Sequence, residues 1–260
     1  MSRTLSRLPL PARLSRAMPS RPTTLPVFYA EQLRLEVGEE RAERIHTDEA
    51  ALDELLTWNV FRSLDGHRDP DWLAHRMQTL GGSGVRAPVD VALFTGRDRG
   101  TPLLPGQEYL ALVRQRAGGD VAAFRQPVEV PVMISSPGVL TLVDTTLDRV
   151  AVGNGGRERI AELVDVGLEQ ANRLGAALAV AVVYASGTPA ASALSQRVNA
   201  LRQPGALAAE LGRTAIPPVT LREASWQQVV KIWDAEAGWL PLSGQPVKAF
   251  RELLTRKALR

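Results

Sequence analysis

The sequence predicts an α/β fold, a mixed central sheet flanked by helices on both faces, built as a single domain over residues 27–260. Three observations predict it. AALAVAVVYA, from Ala176, is a continuous apolar run of the kind that makes a strand covered on both faces. PVEVPVMISSPGVLTLVDTTLDRV, Pro127 to Val150, reads as two strands joined by a tight Pro-Gly turn. Between these two segments, RERIAELVDVGLEQANRLG carries an apolar stripe at Ile160, Leu163, Leu168, Ala171 and Leu174, and Gly175 closes the helix.

The remaining elements follow in chain order. Residues 1–26 hold Arg3, Arg7, Arg13, Arg16 and Arg21 and no acid, and Pro9, Pro11 and Pro19 interrupt any amphipathic helix. They are expected to form a disordered basic arm. An organellar transit peptide, an arm laid along a phosphate backbone, and a start at Met18 all remain open. Ala30 to Arg44 is charged and helix-forming. Thr47 is a candidate N-cap for DEAALDELLTWNVFRSLDG, whose Leu52, Leu55, Leu56, Phe61 and Leu64 share one face, with Gly66 just past the end. Asp71 to Leu80 reads as a third helix and GGSG as a loop. Val89 to Thr95 alternates like a strand, and Glu108 to Arg116 is assigned to a strand because AGGD follows it as a turn. After the Ala176 strand come the helix SALSQRVNALR, the helix SWQQVVKIWDA opened by a capping box from Ser225 to Gln228, and a basic helix that starts at Pro246.

Composition narrows the chemistry. The chain has no cysteine, so disulfides, thiolate zinc sites and a cysteine nucleophile are excluded. Net charge is only +3, and arginine greatly outnumbers lysine, which suits bidentate phosphate contacts and equally reflects a GC-rich codon bias. The longest apolar run is about half of the roughly 20 residues that a membrane helix needs, so no membrane partner is expected, and a cytoplasmic location is. GNGGRER, Gly153 to Arg159, lacks the GK[ST] ending of a phosphate loop. His46, His67 and His75 lack metal-ligand spacing, and no serine sits in a GxSxG elbow.

What remains is the hairpin, with Glu129 near the start of its first strand and Asp144 near the end of its second. Taken alone, two acids at strand ends face solvent or cap a turn, and Pro131 suits an edge or bulge. Their surroundings add a second reading. A helix ending TWNVFRSL, the strand E-V-x-V-x-I, a Pro-Gly turn, L-T-L-V-[acid]-x-x-L, the helix VDVGLEQANRLG and a strand with VVY follow one another in an order that resembles the PD-(D/E)XK, restriction-endonuclease-like superfamily. The resemblance runs from about Glu31 to Trp233 and rests on short, degenerate motifs.

In active members an Asp and a Glu bind Mg²⁺ or Mn²⁺, which activates water and stabilises charge on the scissile phosphate, while a Lys assists. The resemblance puts Pro131 where that Asp belongs, Asp144 at the Glu and Thr146 at the Lys, with Glu129 as the flanking glutamate and Asp53 or Glu54 as the helix acid. It therefore implies a degenerate site, slower by on the order of 10³-fold or more. A rebuilt metal site would use Asp144, Glu129 and Glu54, with Arg149 or Arg157 for the lost Lys. The expectation is a nuclease fold kept for binding nucleic acid, DNA above all, through Arg149, Arg157, Arg159, Lys248 and Arg251 and without a cofactor. An active Mg²⁺- or Mn²⁺-dependent endonuclease and a structural subunit that binds a protein partner are the alternatives. Oligomeric state is not legible.

Overall fold

The computed structural model describes residues 24–97, 100–117, 125–147, 157–238 and 245–260. Five strands form one mixed sheet in sequence order: β1 (Asp90–Thr95), β2 (Val130–Ser136), β3 (Val139–Thr146), β4 (Ala177–Tyr184) and β5 (Val219–Ser225). The first three are antiparallel neighbours, and β4 and β5 then run parallel to β3. The Pro-Gly turn is where the sequence puts it, with Gly138 at φ 79°, a left-handed conformation that glycine adopts without a Cβ penalty.

Helices cover both faces, as expected. One face carries α1 (Ala30–Val37), α2 (Glu39–Thr47), α3 (Leu52–Asp65), α4 (Pro70–Gly81), α9 (Trp226–Glu236) and α10 (Gln245–Arg256), whose buried residues pack with Val132, Ile134 and Val143. The other carries α5 (Gln107–Ala117), α6 (Arg159–Leu174), α7 (Pro189–Leu201) and α8 (Ala206–Glu210), packed on Leu140, Leu142, Val180 and Val182. β4 is buried along nearly its whole length because helices cover it on both sides. Gly167 lets α6 lie close to the sheet, since a Cβ there would stand 2.8 Å from Leu178 and 2.9 Å from Leu142.

Several local expectations are corrected. Glu108 to Arg116 is not a strand. It lies within α5, where Tyr109, Leu110 and Val113 are buried at helical spacing against the second core cluster, so tertiary packing overrides the turn signal that follows it. The segment Ala30 to Arg44 is two helices, broken at Gly38, whose φ is 83°. Thr47 is not an N-cap: it ends α2, and its Oγ1 donates to the Glu43 carbonyl. Asp48 does the capping, accepting from Ala50 N at 2.8 Å and starting a short 3₁₀ turn, Glu49–Ala51, ahead of α3. Leu174 leaves the apolar stripe of α6 and is exposed. β5 carries no continuous apolar run and is absent from the sequence reading.

The Ser225 capping box is present, with Ser225 Oγ accepting from Gln228 N and Gln228 Oε1 accepting from Ser225 N. Of the predicted N-terminal arm, residues 1–23 lie outside the described residues. Leu25 is packed into the core, and its N–H donates to His46 O.

Candidate functional site

The hairpin acids sit where the β-ladder stops. The last β2–β3 pair is Val132 with Val143, so one further step in register sets Pro131 opposite Asp144. Proline has no N–H to donate to the ladder. On the other side of β2, pairing also skips this level, passing from Leu93–Val132 to Thr95–Val130 while Phe94 takes a φ of 51°. The proline therefore fits a local break in the sheet.

Alternation along β3 fixes where its polar residues point. Asp144 has the parity of Leu140 and Leu142, which pack beneath α6, and Thr145 has the parity of Val143, on the opposite face. Accordingly, Asp144 meets α6: Arg159 Nε donates to its Oδ1 at 2.9 Å. Thr145 meets α3 through a 2.8 Å hydroxyl contact with Thr57. Thr146, at the position of the lost Lys, is buried.

Arg159 is the hub of the α6 cluster. Besides Asp144 it donates to Glu162 Oε2 at 3.1 Å and, through Nη2, to the Glu129 carbonyl at 2.7 Å. Glu162 takes a second guanidinium on its other oxygen, Arg157 Nη2 at 2.5 Å, and both side chains of that pair are 0% exposed. Arg157 also donates to Gln126 O. Burial pushes the Glu162 carboxyl above the usual carboxylate range, and the guanidiniums of Arg159 and Arg157 only partly offset it. Burial works against the Arg159 charge, but Asp144 and Glu162 outweigh it and raise its pKa.

The second cluster lies on the α3 side and is organised by Arg41 of α2. Its Nη1 and Nη2 donate to the two oxygens of Glu129 at 2.5 and 2.8 Å, and its Nε donates to Glu54 at 2.6 Å. The guanidinium also lies over the Phe94 ring, 4.7 Å from the centroid. Arg44 holds the other oxygen of Glu54 at 2.5 Å. A cavity of about 520 Å³ opens here, with Glu39, Glu40, Arg41, Arg44, Glu54, Arg97 and Glu129 in its walls. Asp53, the other helix acid, instead lines a cavity of about 490 Å³ with Glu49, Leu147, Ala185, Thr188 and Lys257.

Glu129 thus joins the two clusters, its carbonyl held by Arg159 and its carboxylate by Arg41. Burial alone would raise the Glu129 carboxyl, but the hydrogen bonds and charge of Arg41 hold it below its ordinary value. Its folded-state pKa then lies below the unfolded value of about 4.3. The stabilisation is present in full above that value and is lost as pH falls through the folded pKa. Arg41→Met is expected to lower stability at neutral pH by about 1–3 kcal/mol. It should also flatten the decline on the acid side, measured as urea midpoints at a series of pH values. An unchanged acid limb would show that Arg41 does not control Glu129.

The residues of the proposed metal set do not fit a divalent cation. Among the described residues no group of three or more His, Asp or Glu side chains could hold a metal. Asp144 is held by Arg159, and Glu129 and Glu54 are both held by Arg41, so a cation would have to displace guanidiniums from both faces of the sheet.

The residues selected for phosphate contact are scattered. Arg157 is buried and Arg159 half-buried in the α6 cluster, Arg251 pairs with Asp234 at 2.8 Å, and Lys248 is exposed on α10. Arg149 lies outside the described residues. Sequence reasoning missed Arg41 and Glu162. Glu158, Glu162 and Asp165 recur at helical spacing along a helix buried over most of its length, and that was a signal for Glu162. Nothing in the sequence singles out Arg41.

A scan against protein-family models, a search of curated proteins and a search of solved structures each find no match to this chain. What stands is an α/β protein with a five-stranded mixed sheet between two helical layers. Among the described residues no helix is long and apolar enough to cross a membrane.

Proposed function

We propose that the chain is a PD-(D/E)XK-like, restriction-endonuclease-like protein whose hydrolytic site has decayed and whose fold is kept to bind nucleic acid. The observation that carries the first half is the pair of guanidiniums, Arg159 on Asp144 and Arg41 on Glu129 and Glu54, at the level of the hairpin where the family holds its metal. Positive charge supplied by the protein neutralises these carboxylates, so they have no need of Mg²⁺ or Mn²⁺. Loss of an acid at Pro131 and of a cation at Thr146 agrees with that reading. Supporting the second half are the arginine-rich first 26 residues and exposed cations such as Lys248 and Arg256, because phosphate contact requires cations rather than a catalytic site.

The test is a cleavage assay on linear and circular DNA with Mg²⁺ or Mn²⁺, beside Asp144→Ala and an EDTA control, with native gels over a range of salt. The expected result is no cleavage and a DNA shift that fades steeply as salt rises, as counterion release requires. Metal-dependent cleavage that disappears in Asp144→Ala would establish a working endonuclease. DNA that is neither cut nor shifted would favour the structural subunit with a protein partner.

A further inference from the structure

Around the candidate site, Arg41, Arg44, Arg157 and Arg159 all have carboxylate partners. The surface between α4 and α9 of the same helical layer differs. Between α4 and α9 lies a groove of about 390 Å³ lined by Arg76, Thr79, Gln228, Lys231, Ile232 and Ala235, mostly apolar in its wall and without a carboxylate. Among the described residues neither Arg76 nor Lys231 has an ion-pair partner.

The polar groups of this groove are biased toward donors. Arg76 lies over the Trp72 ring, 5.5 Å from the centroid, and Trp72 in turn stacks on His67 at 4.0 Å, which orients the guanidinium without neutralising it. Its Nε is buried without an acceptor. Gln228 commits its Oε1 to Ser225 N in the capping box, which leaves the amide nitrogen with donors still to place. Two cations and an amide donor beside an aliphatic wall call for a ligand that brings an acceptor with negative charge at one end and an apolar body at the other. The volume lies within the range of small-molecule pockets. A bare inorganic anion would leave Ile232 and Ala235 uncovered, and a neutral hydrocarbon would leave the cations unmatched.

We propose that the α4–α9 groove is a binding site for a small amphipathic monoanion, its carboxylate or sulfonate held by Arg76 and Lys231 and its apolar body laid against Ile232 and Ala235. This site is separate from the hairpin clusters and does not depend on the nuclease-like reading.

Octanoate is a suitable probe, with octanol and inorganic phosphate as its two halves, titrated into the full chain and followed by calorimetry. Octanoate should saturate a single site, and octanol and phosphate should each bind at least about tenfold more weakly, about 1.4 kcal/mol. Arg76→Gln and Lys231→Gln should each weaken octanoate by a similar factor while the thermal midpoint stays in place. If Arg76→Gln disturbs folding by unstacking Trp72, Lys231→Gln on the exposed side of α9 carries the same test. Octanoate that fails to saturate in the millimolar range, octanol or phosphate that binds as tightly, or unchanged affinity in the folded Lys231→Gln protein would overturn the proposal.

Discussion

Glu162→Ala is expected to lower the free energy of unfolding by about 3–5 kcal/mol, the range for breaking a buried ion pair by removing one of its members. The reason is geometric. Arg157 is fully buried, Glu162 is its carboxylate partner at 2.5 Å, and the same carboxylate carries part of the Arg159 charge. Removing it takes from Arg157 its carboxylate at 2.5 Å and from Arg159 one of its two carboxylates. Burial keeps the Glu162 pKa above its ordinary value, so this carboxyl stabilises the fold on the acid side and loses that contribution as pH rises through the folded pKa. A buried ion pair of this kind can add little net stability compared with apolar groups of the same volume and still be costly to break.

The double change Arg157→Met with Glu162→Leu should consequently recover most of the loss, because apolar groups of similar volume need no partners. Urea unfolding followed by far-UV circular dichroism measures both proteins. A loss below about 1 kcal/mol for the single change, the scale of an exposed pair, would show that water reaches Arg157 and that the cluster is not closed.

How much of this was legible beforehand depends on the range of the interactions. Elements whose pattern is local were read correctly: the Pro-Gly hairpin, the buried run of β4, and the capping box of α9 with both of its reciprocal bonds. α5 was misread because its packing, not its flanking turn, decides its conformation. β5 was missed because only Leu221 and Ala224 are buried along it, too sparse a signal for either period.

The site divides in the same way. Glu129 and Asp144 stand out as acids on one hairpin, but the residues that define their chemistry come from elsewhere. Arg41 reaches Glu129 across 88 positions of sequence, and Arg159 reaches Asp144 from the following helix. One sequence carries no signal for such a pairing, so Arg159 reads as a free phosphate contact when it is in fact the partner of two carboxylates.

The TWNVFR segment of α3 ties neighbouring elements together, and Asn59 gives that a test. Asn59 is fully buried in α3, its Oδ1 accepting from Phe28 N at 2.8 Å and its Nδ2 donating to Pro26 O at 2.6 Å. Trp58 beside it donates Nε1 to Phe28 O at 2.5 Å, and Thr57 touches Thr145 of β3. Three successive residues thus fasten both the chain entering α1 and the hairpin onto one helix. Asn59→Leu keeps the volume and removes both bonds, leaving a buried N–H and a carbonyl without partners at about 1–3 kcal/mol each, so a total of about 2–5 kcal/mol is expected. The loss should be local as well as global. Segment 24–29 precedes α1 and α2, and α2 carries Arg41 to Glu129 and Glu54. Amide hydrogen exchange should quicken at Phe28 and through α1 and α2 before it quickens in β4. Uniform quickening at every amide would mean that Asn59 supports the core as a whole, whereas selective quickening would make it the pin that sets the α2 arginine against the hairpin.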